Sequence, residues 1–300
     1  MRGRRKRGYP RAVSEATDTS AGMRAQRDEM TRSEQAAVSP TEVVARYEEV
    51  RGRIADAAKR SGRSAEDVLL VAVTKYAEPE AILALIEHGH RDFGEGRVQQ
   101  LTQRASMSGE WEERAGVLAQ TSQARGGLPT EAARLRWHMI GHIQRNKAKK
   151  VAEFCRLVHS VDNFRVAEEL QQALVKTDRT LDVLLQVDCS GEETKYGCPM
   201  PAVIAMAEQI ETMYSIRLRG LMTMAPHTED PEDARPVFRR CRELFEEMRT
   251  LGVAGDRFNI LSMGMTHDYE VAISEGASVV RVGSAIFGDP PARDEDEDED

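Results

Sequence analysis

A lysine and two glycine-bearing segments are the residues of this sequence whose types and spacing could do chemistry. Lys75 ends the apolar run VLLVAVTKY (68–76), and a lysine in a partly desolvated pocket is a usable amine nucleophile. Ser262-Met263-Gly264 and Gly283-Ser284 offer hydroxyl groups and closely approachable backbone amides, the donors that bind a phosphate dianion. Two ordinary explanations compete: a terminal lysine can extend into water, and glycine can end a strand for conformational reasons alone. Their positions in the fold must decide.

Regular alternation of apolar runs and amphipathic stretches predicts the elements that carry these residues. The run before Lys75 is unbroken and rich in aliphatic residues, as in a strand buried on both faces of a parallel sheet. The eight predicted strands are 68–75, 91–95, 136–141, 157–162, 182–188, 216–222, 259–263 and 279–284. The helices that follow them are 79–89, 96–105, 144–154, 164–176, 200–213, 231–251 and 267–275. Eight strand–helix units predict an α/β fold, a single (β/α)₈ TIM barrel, rather than a doubly wound sheet.

The predicted barrel domain covers 39–288. An extra helix at 41–60, capped by Ser39 or Thr41, precedes the first strand, and 106–135 is predicted to be a polar insertion. The basic and polar segment 1–38 and the acidic segment 289–300 are predicted to be disordered, because neither can bury a core. Met30 is a second candidate for the start of the protein.

Composition narrows the class of protein. The 300 residues are 40% hydrophobic and 31% charged, as in soluble globular proteins, and no apolar run approaches the roughly 18 residues of a membrane span. Four cysteines without CxxC spacing argue against a disulfide framework or structural zinc and favour a reducing compartment, so we expect a cytoplasmic protein. The net charge of −8 gives no reason to expect a nucleic acid partner.

The barrel prediction brings the chemistry-bearing residues together. Active sites of such barrels lie at the carboxyl ends of the strands, and strands seven and eight often hold a phosphate. Lys75 opposite a phosphate site on those two strands indicates a phosphate-bearing aldehyde held as a Schiff base, and pyridoxal 5′-phosphate (PLP) fits that description.

Two other strand-end segments have competing interpretations. His138 and His142 could face the same way, but they lack a third ligand at metal-site spacing, so no metal site is predicted. His138 lies either in a cofactor pocket or in ordinary hydrogen-bonded packing. Gln144-Arg145-Asn146-Lys147 is either a basic contact near the cofactor or an exposed helix start.

The order and number of short motifs show that the sequence resembles the pyridoxal phosphate homeostasis protein family. The matching segments are AVTKYAEP (72–79), FGEGRVQQ (93–100), WHMIGHIQRNK (137–147), HSVDN (159–163), TKYG (194–197), LRGLM (218–222), SMGMTHDYEVAISEGA (262–277) and VRVGSAIFG (280–288). The resemblance spans about 40–288 and implies a PLP-binding barrel similar to the amino-terminal domain of alanine racemase.

The resemblance also implies roles for individual residues. By matching motif, the cofactor-binding residues would be Lys75, Ser262, Gly264, Arg281, Gly283, Ser284, Met222 and His138. Among these, Lys75 would form the Schiff base, the serines and glycines would hold the phosphate, and Met222 and His138 would line the ring pocket. Arg281 would face the pyridine nitrogen, and a cation there keeps that nitrogen unprotonated and weakens the ring as an electron sink. No catalytic residue and no metal ligand is predicted.

Four positions depart from the common family pattern. Gly96 and Arg97 stand where the family commonly has Asn-Tyr, which removes an amide from the predicted pocket mouth. Thr266 and Ser284 exchange one hydroxyl residue for the other, so we expect little effect.

The function that the resemblance implies is a monomeric, non-catalytic PLP carrier that supplies the cofactor to PLP-dependent apo-enzymes. The alternative is an amino-acid racemase, which would need a second, β-rich domain with a catalytic tyrosine. Thirteen residues follow Phe287, mostly Asp and Glu, so we expect the carrier. A phosphate-sugar aldolase using Lys75 would want a carboxylate pair, and none can be nominated. Neither a nucleic acid nor a membrane partner is expected.

Overall fold

Eight parallel strands form a closed barrel in the computed structural model, which describes residues 38–121, 134–191 and 196–289. The described ranges hold nine strands, the eight of the barrel and the short β6: β1 (Leu69–Val73), β2 (Asp92–Glu95), β3 (Arg136–Met139), β4 (Cys155–Val161), β5 (Leu181–Asp188), β6 (Cys198–Pro199), β7 (Ile216–Met222), β8 (Ile260–Ser262) and β9 (Val279–Val282). Neighbours pair in the order β1-β2-β3-β4-β5-β7-β8-β9, and β9 pairs with β1 to close the ring. The two-residue β6 is an addition to the end of β5.

Helices surround this barrel. They are α1 (Pro40–Arg60), α2 (Pro79–Glu87), α3 (Val98–Ser106), α4 (Ser108–Thr121), α5 (Ala148–Phe154), α6 (Phe164–Val175), α7 (Val203–Glu211), α8 (Arg235–Thr250), α9 (Tyr269–Ser274) and α10 (Ser284–Phe287). The predicted (β/α)₈ TIM barrel is therefore confirmed, and each predicted strand and helix is present with boundaries moved by a few residues.

Side chains alternate along each strand between two apolar layers. On β1, Leu70 and Ala72 face the helices and belong to the main core. Leu157, Leu184 and Met222 point into the barrel and pack against one another. Interior packing of this kind makes the barrel a filled core with its open face at the strand ends.

The first helix confirms the predicted extra element. Ser39 caps α1, because its hydroxyl oxygen accepts a hydrogen bond from the Glu42 amide at 3.3 Å. Arg53 and Arg60 bind the Glu270 carboxylate of α9 at 2.6 and 2.8 Å. These ion pairs place α1 beside the strand ends of β8 and β9.

The stretch predicted as a polar insertion contains a helix, α4. Trp111 of α4 is buried, and the Trp137 indole donates to the Ser108 hydroxyl at 2.7 Å. These contacts attach α4 to β3, which the polar composition did not reveal. Residues 122–133 of that insertion lie outside the described residues, as do 192–195, the predicted amino-terminal extension apart from Val38, and the acidic segment apart from Asp289. None of the helices in the described ranges has the length and apolar character of a membrane-spanning segment.

Candidate functional site

The main cavity opens at the carboxyl ends of the strands and has a volume of about 720 Å³. Four of the eight predicted cofactor-binding residues line it: Lys75, Arg281, Gly283 and Ser284. A volume in this range is typical of a site for a small molecule. The fold therefore brings the candidate nucleophile and the candidate phosphate-binding segment of β9 to one cavity.

Lys75 lies in a tight turn just beyond the end of β1. The strand ends at Val73, and the Ala77 amide donates to the Thr74 carbonyl at 2.9 Å, which closes a β-turn with Lys75 and Tyr76 at its centre. The Lys75 ammonium lies 4.7 Å from the centroid of the Tyr76 ring. Lys75 is half-buried, so its amine is accessible from the cavity.

The segment after β9 offers donors for an anion. Gly283 lies where β9 closely approaches β1, and a Cβ there would lie 3.2 Å from the Val73 carbonyl oxygen. The Gly283 amide donates to the Thr266 hydroxyl at 3.3 Å, and Ser284 begins α10, where the first amides have no intrahelical acceptor. Thr266, which also lines the cavity, adds a second hydroxyl.

Gly264 contributes to the shape of this site without lining the cavity. Its φ of +89° is in the left-handed region, and a Cβ would lie 2.6 Å from the Cβ of Ala272 and 2.8 Å from the Cα of Tyr269. The Gly264 carbonyl accepts the Arg281 amide at 3.1 Å. Glycine at this position therefore lets the segment after β8 pack on α9 and against β9.

Arg281 is a buried cation in the wall of the cavity. Its guanidinium donates to the Ser262 hydroxyl at 2.6 Å and to the Thr223 carbonyl at 3.1 Å. Burial lowers the pKa of Arg281 to about 10, although nearby Asp268 and Cys241 favour the charged form. The side chain therefore remains a positively charged donor at neutral pH.

A chain of hydrogen bonds continues from Ser262 through the barrel interior. Nδ1 of His159 lies 2.9 Å from the Ser262 hydroxyl, and His159 Nε2 lies 2.9 Å from His138 Nδ1. His138 Nε2 lies 3.1 Å from the Asp92 carboxylate, which also accepts two bonds from Arg136. Burial holds the pKa of His159 well below its usual value, so that ring is neutral.

When both histidine rings are neutral, one arrangement of protons satisfies every bond of this chain. A carboxylate only accepts, so His138 Nε2 donates to Asp92, and with neutral rings each following group donates in the same direction. His159 then donates to His138, and the Ser262 hydroxyl donates to His159. Burial opposes the charge of Asp92, but the bonds from Arg136 and His138 hold the pKa of its carboxyl well below the usual range. In this arrangement the Ser262 hydroxyl proton is used within the chain.

Three further predicted residues are buried away from the cavity. His138, Ser262 and Met222 are each at most 2% exposed and do not line it. Their direct contact with a ligand stays a prediction, while their observed partners are other side chains of the barrel interior.

The two histidines predicted to lie at the end of the third strand have different environments. His138 points into the barrel, whereas His142 binds the Asp162 carboxylate at 3.0 Å and stacks on the Tyr196 ring with centroids 4.3 Å apart. Within the described residues, no group of three or more histidine, cysteine or acidic side chains could hold a metal ion. The Gln144–Lys147 segment, Gly96 and Arg97 do not line the main cavity either.

Several residues that line the cavity were not predicted from the sequence to contact a ligand. Arg53 comes from α1, which no strand-end argument considers, and Tyr76 follows Lys75 directly. His227 and His267 come from the segments after β7 and β8, and their rings meet with centroids 5.4 Å apart. Only the position after a predicted strand could have indicated these two histidines.

Comparisons with known proteins agree with this geometry. The sequence matches the family model described as alanine racemase, N-terminal domain, over residues 48–291. A pyridoxal phosphate homeostasis protein of Aquifex aeolicus is 35% identical over 245 residues, 81% of this chain and 96% of that protein, and one of Pseudomonas aeruginosa is 37% identical over 240 residues, 80% and 92%. The structure of PipY from Synechococcus elongatus with PLP bound is 29% identical, has a TM-score of 0.59 and covers 78% of this chain and 100% of that one. The resemblance seen in the motifs is thereby confirmed, and the chain belongs to the pyridoxal phosphate homeostasis protein family, with a barrel of the alanine racemase N-terminal type.

Proposed function

We propose that this protein binds PLP through a Schiff base at Lys75 and serves in intracellular PLP homeostasis, holding and supplying the cofactor without catalytic turnover. The observation that carries the proposal is that Lys75, Arg281 and the Gly283-Ser284 segment line one cavity. The names of its relatives and the bound PLP in PipY support the same ligand.

The residues of the cavity fit the cofactor by the chemistry of their donors. Thr266 and Ser284 would bind the phosphate through their hydroxyl groups, next to the first amides of α10. Arg281 would face the ring nitrogen as a donor. When bound, PLP supplies an aldehyde that condenses with a primary amine and a ring that can accept electron density.

Two features of the cavity bear on the racemase alternative. A guanidinium opposite the ring nitrogen disfavours protonation of that nitrogen, so the ring withdraws electrons weakly. Racemisation also needs an acid or base on each face of the substrate. Tyr76 is the one tyrosine lining the cavity among the described residues, and it adjoins Lys75 within the same turn. The part of the cavity lining that the structure describes therefore holds no second tyrosine that could oppose Lys75.

Reductive trapping tests the site. The full-length protein incubated with PLP should turn yellow, and borohydride should fix the label on the peptide that contains Lys75. Lys75→Ala should stay colourless, whereas Lys150→Ala, which removes an exposed lysine paired with Glu153, should label normally. A wild-type protein that stays colourless with excess PLP, or a label on another lysine, would refute the proposal.

Transfer of the cofactor tests the carrier role. The loaded protein should activate a PLP-dependent apo-enzyme at least as fast as free PLP at matched concentration, while alanine and serine keep their configuration. Racemisation by the pure protein at ordinary enzyme rates would instead establish the racemase. The four cysteines are free and buried, which suits the cytoplasmic location that we propose. We further propose a monomer, which light scattering would test.

A further inference from the structure

The turn that carries Lys75 is held at both ends by a side chain from another element. Arg104, on α3, donates from Nη1 to the Thr74 carbonyl and from Nη2 to the Ala77 carbonyl at 2.8 Å. These two carbonyls flank Lys75 and Tyr76. One planar guanidinium therefore bridges the first and last residues of the turn.

The guanidinium is itself fixed by a buried carboxylate. Nη1 of Arg104 also binds the Glu95 carboxylate at the end of β2, and the Arg104 side chain is 14% exposed while Glu95 is 0% exposed. The Thr74 hydroxyl donates to the same carboxylate, and the Thr74 amide donates to the Gly94 carbonyl at 3.0 Å. The turn, β2 and α3 thus share one network.

The ion pair is sensitive to the loss of either partner. Burial raises the pKa of Glu95, while Arg104 and the Thr74 hydroxyl favour its charged form. Removing Arg104 would leave a buried carboxylate next to the turn without its cation. The carboxylate then either takes up a proton or draws in water, and in both cases the Thr74 end of the turn loses its fixed partner.

We propose that Arg104 and Glu95 are positioning residues, which hold the Lys75 turn so that the amine lies at the cavity ready to capture PLP. The inference rests on the proposed Schiff base at Lys75. The amine of a flexible four-carbon side chain reaches a productive position frequently only when the turn beneath it is fixed. Misplacement by about 1 Å can slow a reaction up to about 100-fold.

Three variants and a matched control separate positioning from general stability. Arg104→Met removes both bridging bonds, and Arg104→Lys keeps the charge beside Glu95 but cannot span both carbonyls as a planar fork. The double variant Arg104→Met with Glu95→Gln removes both charges, so that no uncompensated carboxylate stays buried. Arg114→Met makes the same replacement at an exposed arginine of α4 that pairs with Glu87 at 3.3 Å. Thermal unfolding and circular dichroism establish which variants are folded.

Two measurements on the full-length proteins give the test. The first is the rate at which PLP forms the Lys75 Schiff base, followed by absorbance. The second, made without PLP, is the rate at which an amine-acylating reagent modifies Lys75 relative to Lys150, followed by peptide mass spectrometry. A purely structural role for Arg104 would shift unfolding without changing either rate in the folded protein.

We expect Arg104→Met and the double variant to form the Schiff base about tenfold more slowly than wild type. The rate for Arg104→Lys should lie between those variants and wild type, and the rate for Arg114→Met should be unchanged. The relative acylation of Lys75 should change in the same variants. Rates within twofold of wild type in the folded Arg104→Lys and double variants would overturn the inference. Wild-type protein that captures no PLP at Lys75 would instead refute the proposed function, and the acylation data would still report on the turn.

Discussion

Replacing Ser262 with alanine tests the hydrogen-bond chain that runs beneath the cavity. Ser262 is fully buried, and its hydroxyl accepts from Arg281 and bonds to His159. Ser262→Ala leaves both partners in place without a replacement. Each buried hydrogen-bonding atom left without a partner costs about 1–3 kcal/mol, so for the two atoms we expect the free energy of unfolding to fall by about 2–6 kcal/mol.

Ser274 provides a matched control for this experiment. Its hydroxyl also accepts from an arginine, Arg235 at 2.8 Å, and donates onward, to the Val271 carbonyl at 2.7 Å. Ser274 is exposed, so water can replace the lost bonds, and Ser274→Ala should change stability by less than about 0.5 kcal/mol.

Urea unfolding of the three proteins at pH 7.5, followed by circular dichroism, measures the difference. Equal losses in Ser262→Ala and Ser274→Ala would refute the reasoning, because the buried chain would then contribute no more than an exposed pair of bonds. A loss confined to Ser262→Ala would also indicate that this serine supports Arg281 whether or not it touches a ligand.

Two further predictions follow from burial and backbone geometry. Burial lowers the pKa of His90 to about 4, with its bond to the Asp92 carbonyl opposing, so the unfolded chain binds the proton more readily. The contribution of neutral His90 to the free energy of unfolding, about 3 kcal/mol, is therefore full above pH 6.5 and is lost as the pH falls towards 4. The free energy of unfolding of His90→Gln should depend less on pH in this range, and an unchanged pH dependence would contradict this prediction. Gly264→Ala should destabilise by more than about 2 kcal/mol, because strain adds to the contact with Ala272, whereas Gly276→Ala, with φ +94° and its nearest neighbour at 3.5 Å, should cost about 1 kcal/mol. Thermal unfolding compares the two glycine variants, and equal losses would argue against the contact.

The sequence predicted those parts of the protein that depend on local periodicity. Buried parallel strands are continuous apolar runs, so all eight barrel strands could be located and their carboxyl ends assigned to one face. Four residues could then be assigned to one cavity because they lie at or just after the ends of strands: Lys75, Arg281, Gly283 and Ser284. The same rule could not separate residues that line the cavity from those below it.

Depth within the barrel is the property that the sequence did not supply. Ser262 ends a strand and His138 lies in one, as Arg281 does. Their side chains, however, form hydrogen bonds with other side chains inside the barrel and do not line the cavity. Arg53 and Arg104 act from helices, through contacts with residues distant in sequence. Tertiary contacts of this kind have no local signature, so periodicity and motif spacing could not indicate them.

The bond between Arg281 and Ser262 links the fold to the proposed binding of PLP. The Ser262 oxygen accepts from Arg281 at 2.6 Å, and this bond fixes the position of the guanidinium, which can only donate, in the cavity wall. A guanidinium has no acceptor to offer, so an atom that faces it must present a lone pair. A pyridine nitrogen does so only when it is unprotonated, and an unprotonated ring withdraws electrons weakly. In the proposed site, PLP held at Lys75 opposite Arg281 would therefore have a ring that withdraws electrons weakly.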